Sequence, residues 1–206
     1  MIIIFLSISS MLFGAIAAIG QKNLKRLIAY SSIGHMGYAL AGIATGTAEG
    51  AKGTIIYLSI SLVMNLGMFA CIFMMKRKNI FCENIKELSG LSKTHPILSA
   101  GFMILLFSMA GIPPLAGFFA KFYVFMAVIE AKLFILAIIG LVTTVISAFY
   151  YLRIIKIIYF DSSKGIFDEN KNFGIKISLA LSCVFVLFYF INPSILTDIV
   201  SSIITF

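Results

Sequence analysis

The chain has 206 residues, 61% of them hydrophobic and none tryptophan, and its mean hydropathy of +1.07 excludes a soluble globular domain. The net charge of +8 does not signal nucleic acid, because the basic residues sit in short segments between apolar runs, without an aromatic and basic platform. The composition is that of an all-α, polytopic transmembrane helix bundle, a single membrane domain over residues 1–206 embedded in a lipid bilayer.

Apolar runs able to cross a hydrocarbon layer of ~30 Å fall at about Ile2–Ile19, Leu27–Thr45, Thr54–Met75, Pro96–Ile129, Leu133–Ile155 and Ile175–Ile191. This predicts about six spans. The first run has no Lys or Arg ahead of it, so it lacks the basic start of a signal peptide and is expected to stay as a span. Gly14 with Ala18, and Gly37 with Ala41, have the small-xxx-small spacing that permits close helix approach.

The second run carries Ser31, His35 and Tyr38 at i, i+4 and i+7, on one helical face. His35 has two readings: a proton relay, or a neutral imidazole bonded to a neighbouring helix. Ser61 and Asn65 on the third run, and Thr143, Ser147 and Tyr150 on the fifth, form short polar stripes better explained by helix joining than by a water path. Cys71, Cys82 and Cys183 have neither metal nor disulfide spacing, so neither a metal nor a disulfide is expected. His95, before Pro96, is expected to be solvated.

The fourth run is 34 residues long and contains Pro113 and Pro114. Neither proline can donate to the carbonyls of Met109 and Ala110, and each pushes its predecessor out of helical geometry, so the helix is predicted to break near Gly111–Gly117. Irregular backbone at membrane depth is tolerated only inside protein or against a hydrated cavity. Lys121 follows within about two turns, where the start of the second half-helix and a low dielectric both disfavour its ammonium form. A lysine at the bilayer centre costs at least ~2.5–3.5 kcal/mol and is by default a functional signal; the rival reading is snorkelling to an interface.

The basic residues choose between one broken crossing and a hairpin. With a single crossing, Lys22, Lys25, Arg26, Lys76, Arg77, Lys78, Lys86, Lys93, Arg153, Lys156, Lys164, Lys171 and Lys176 all fall on one side, against Lys52 and Lys132 opposite. The positive-inside rule favours that arrangement and makes the basic loops cytoplasmic. No nucleotide loop, HExxH, paired cysteines or nucleophile elbow is visible, so the chain offers a path for charge and no catalytic centre.

At "QKNLKRLIAYSSIGHMGYALAGI" (Gln21–Ile43) and "HPILSAGFMILLFSMAGIPPLAGFFAKFYVF" (His95–Phe125) the sequence closely resembles the antiporter-like membrane subunits of bacterial respiratory complex I, the proton-translocating NADH:quinone oxidoreductase. "SAFYYLRIIKIIYF" (Ser147–Phe160) fits the helix that follows in the subunit N family. Related subunits and antiporters carry an "HxxxHAxFKAxLF" helix where this chain has "YLSISLVMNLGMFACIFM" (Tyr57–Met74), which favours subunit N over them.

The resemblance implies the last six helices of a fourteen-helix fold, in the bacterial inner membrane beside the other membrane subunits of the complex. It implies a proton pathway through Lys121, the lysine of a broken helix, with Lys25 and His35 at polar positions of the earlier motif. The partners of that lysine on preceding helices, an acidic residue and two lysines, have no counterpart here. NADH, FMN, iron–sulfur clusters and quinone are expected in partner subunits and none in this chain. A cation/proton antiporter component, or a structural or non-functional split-gene remnant, are the alternatives.

Overall fold

The computed structural model describes residues 1–78, 80–163, 165–168 and 172–204; Lys164 and Lys171, counted above with the basic side, lie outside them. The helices are α1 (Ile2–Ile19), α2 (Leu24–Ala44), α3 (Ala48–Met74), the single turn α4 (Leu91–Thr94), α5 (Pro96–Ala110), α6 (Ala116–Glu130), α7 (Phe134–Phe160), α8 (Phe173–Phe188) and α9 (Ser194–Ile204). Among the described residues, five helical segments are long and apolar enough to cross a membrane, and α5 with α6 supplies the remaining crossing.

Helix ends are set by caps, which hydropathy does not see. The Asn23 side chain accepts from the Arg26 N–H and starts α2 at Leu24, ahead of its apolar stretch. Thr47 does the same for α3 through the Gly50 N–H, which draws Glu49 and Lys52 into the helix. α5 begins with Pro96, whose missing N–H costs nothing at a first-turn position.

α3 lies at the centre and packs against α2, α5, α6, α8 and α9. Its Ile56, Tyr57, Ile60, Met64 and Met68 are all fully buried. α1 and α2 approach closely because both contact faces carry glycine: a Cβ on Gly14 would fall 2.5 Å from the Gly34 nitrogen, and one on Gly37 would fall 2.9 Å from the Ser7 carbonyl oxygen. Ser7 Oγ donates to that Gly37 carbonyl at 2.7 Å.

Two ends of the bundle are distinct. At one, Arg153 donates to the Ile19 and Gln21 carbonyls at 3.0 and 3.1 Å, and Glu83 meets Lys25. The start of α5 lies at this basic end, where His95 Nε2 meets the Phe167 carbonyl at 3.1 Å. His95 is therefore held by a backbone oxygen and Thr94, not merely solvated as its sequence position suggests. At the other end, Tyr123 and Glu130 of α6 line a cleft with Glu49 and Lys52 of α3 and Thr197 of α9. α5 and α6 thus run from one end to the other as a single interrupted crossing. α9 lies beyond the six apolar runs and at 11 residues is too short to span.

Candidate functional site

The interruption runs from Gly111 to Leu115. Gly111 adopts φ +86°, in the left-handed region that glycine enters without steric cost. Its N–H and that of Ile112 turn back to the Ser108 and Phe107 carbonyls at 2.9 and 3.1 Å. The next two carbonyls of α5, Met109 and Ala110, lack helical donors because Pro113 and Pro114 have none to give.

Lys121 fills that gap. Its Nζ donates to the Met109 oxygen at 3.2 Å and to the Ala110 oxygen at 3.3 Å, and the residue is 5% exposed. The amine therefore lies at the negative, C-terminal end of α5. The sequence argument placed it only under the positive end of α6; in the folded chain α5 favours the ammonium and burial opposes it. Nζ also stands 5.3 Å from the centre of the Tyr38 ring, within cation–π range.

The half-helices are held together closely. A Cβ on Gly117 would fall 1.9 Å from the Ser108 carbonyl oxygen, so only glycine fits. Gly117 N–H donates to Ser108 Oγ at 3.0 Å. A Cβ on Gly111 would meet Lys121 Cδ and Nζ at 3.3 Å, so its absence leaves the amine its place.

A second polar cluster lies beside the Tyr38 ring. His35 is buried, with Nδ1 2.6 Å from the Tyr57 hydroxyl and Nε2 3.2 Å from the Tyr151 hydroxyl. Tyr151 also makes a short hydrogen bond with Ser31 Oγ, and its ring packs edge-on to Tyr150. Tyr38 reaches α7, its hydroxyl 3.1 and 3.0 Å from Thr143 and Thr144 Oγ1. The Tyr38 ring centre is 6.3 Å from His35 and 5.9 Å from Tyr57. Among the described residues, no hydrogen bond joins Lys121 to His35, though both stand beside the Tyr38 ring.

The structure brings Lys121, Tyr38 and His35 together, along with Gly111, Pro113, Pro114 and Gly117 at the break. It places Lys25 elsewhere. That lysine lies at the basic end, 2.6 Å from Glu83 and 35% exposed, about 15 Å of helix rise from His35. Hydrogen bonds from Lys25 and from Asn23 hold the Glu83 carboxyl below the usual carboxylate range.

Tyr57, Tyr151 and Thr144 escaped the sequence reading. The useful signal was that a phenol inside a span needs a hydrogen-bond partner, which makes each one a marker of buried polarity. Thr143 does join helices through Tyr38, while Ser147 bonds back within α7; among the described residues the Asn65 Oδ1 is buried without a partner, beside an open groove lined by Met36 of α2 and residues of α3.

Comparison with known proteins places these features in a family. Residues 1–147 match the NADH:quinone oxidoreductase/Mrp antiporter transmembrane family. NADH-quinone oxidoreductase subunit N of Pelagibacter ubique is 63% identical over 202 residues, covering 98% of this chain and 43% of the relative. The same subunit of Parvibaculum lavamentivorans is 53% identical over 94% of this chain and 40% of its own length. The chain thus spans under half the length of these relatives.

Among solved structures, a chain of the Thermus thermophilus respiratory complex I with bound NADH superposes with a TM-score of 0.83 at 28% identity, over 99% of this chain and 44% of that one. A chain of the Mrp complex from Dietzia shares the fold, with a TM-score of 0.85 at 20% identity, over 98% of this chain and 46% of that one. With its helical bundle, interrupted crossing and match over most of its length, the chain belongs to the NADH:quinone oxidoreductase/Mrp antiporter transmembrane family.

Proposed function

We propose that the chain forms part of the membrane arm of a proton-translocating NADH:quinone oxidoreductase in the bacterial inner membrane, where subunit N stands. The observation that carries this reading is 63% identity to a subunit N across nearly the whole chain. The redox groups, NADH, FMN, iron–sulfur clusters and quinone, then belong to partner subunits, and this chain contributes half of a proton path. The basic end is assigned to the cytoplasm by the positive-inside rule.

In this reading Lys121 is the switching group. Its ammonium is supported by two carbonyls and one aromatic face and opposed by burial. A positive charge approaching from a partner subunit adds Coulombic repulsion in a low dielectric and drives the proton off. When that charge recedes the amine is reloaded. His35, held between two phenols, forms the relay arm on the α2 side, and Lys25 with Glu83 marks the mouth at the basic end.

The alternative is a cation/proton antiporter component, whose fold the Mrp likeness shares. Inverted membrane vesicles separate the two. Deleting the chain should abolish NADH-driven proton uptake and leave sodium/proton exchange under an imposed pH gradient unchanged. Loss of the exchange with NADH-driven uptake intact would overturn the assignment.

A further inference from the structure

At the basic end, residues of α5 and α8 line a cavity of about 630 Å³, which lies within the about 300–1,000 Å³ range of small-molecule sites. Its floor is apolar, built from Gly101, Ile104, Leu179 and Cys183. Its mouth is polar, formed by Thr94, His95, Asp168 and Lys176. We propose that this groove seats one phospholipid, with an acyl chain along α5 and α8 and the phosphate at Lys176.

Two observations carry it. The polarity is ordered along the bundle: the polar groups lie where α5 and α8 begin, and the apolar floor continues seven to eight residues inward, about 10–12 Å. That gradient matches a lipid standing in its leaflet. At the floor α5 and α8 pack directly, since a Cβ on Gly101 would meet the Leu179 side chain at 3.1 Å. Lys176 is exposed in the first turn of α8, so its ammonium sits at the mouth while its stem covers apolar surface. Asp168 also lines the mouth.

The test uses the assembled complex in lipid nanodiscs with a phosphatidylglycerol carrying a diazirine halfway along one acyl chain. After photolysis, label should concentrate on Ile104, Leu179 and Cys183. Gly101→Leu should abolish it, and Lys176→Glu should lower it about fivefold, the scale of one lysine at an anionic surface. The surface variant guards against misfolding of the buried one. Label spread equally over exposed residues of α7 such as Val145 and Phe149, unmoved by Lys176→Glu, would overturn the proposal. So would crosslinks from the groove to another subunit.

Discussion

Lys121 donates from the second turn of one half-helix to Met109 at the end of the other, 3.2 Å away. The donor that the prolines removed is thus replaced by a side-chain ammonium. A carbonyl left unpaired at membrane depth costs several kcal/mol, so the lysine both holds the break and is held by it. Charge and architecture are coupled at one atom: losing the proton removes the charge that strengthens both bonds to the α5 carbonyls.

The fit at the break should be intolerant of a single methyl group. Gly117→Ala drives a Cβ to 1.9 Å from the Ser108 oxygen, so the half-helices must part. Gly111→Ala imposes left-handed backbone on a non-glycine residue, costing about 1–2 kcal/mol, and crowds Nζ. Both variants should lower the melting temperature of the assembled complex, Gly117→Ala by more. Equal or absent shifts would mean that the break is looser than described.

The His35 cluster makes a prediction about coupling. Removing the imidazole takes its partner from the Tyr57 hydroxyl, at about 1–3 kcal/mol if no water replaces it, while Tyr151 keeps its bond to Ser31. A cycle of His35→Ala and Tyr57→Phe, read by denaturant unfolding in detergent, should give an interaction energy of roughly 0.6–1.7 kcal/mol, the range measured inside membranes. Additive effects would show that the 2.6 Å contact carries no energy.

At the basic end, Glu83 supplies a pH dependence. Its carboxyl titrates below the usual range because Lys25 and then Asn23 bond the ionised form. Its contribution to loop stability is therefore present above the ordinary carboxylate value and is lost as pH falls through the lowered one. Amide exchange near Leu24 and Ile85 should quicken over that acid window, and Glu83→Gln should remove the step. In the same reading Lys25→Ala slows proton uptake less than any change at Lys121, as fits a group at the mouth.

The sequence was legible where chemistry is local. Pro113, Pro114 and Gly111 announced the break and identified the very carbonyls left over, and the apolar runs located the crossings. It was opaque where partners come from distant helices. Nothing near Lys121 in sequence says that its amine ends at the foot of α5, or that Tyr38 of α2 covers it. Tyr57 and Tyr151 are 94 residues apart, and only packing around α2 brings their hydroxyls to one imidazole. Lys25, read as a pathway residue by its motif, lies two residues from the N-cap of α2, at the loop end of that helix.

The central claim is that Lys121 must change charge, and the proton-to-electron ratio of the reconstituted complex tests it most directly. Lys121→Ala removes the amine, and Lys121→Arg keeps the charge but cannot readily release it. Both should lower the protons moved per NADH oxidised and slow the coupled quinone reductase. A wild-type ratio in either variant would contradict the account.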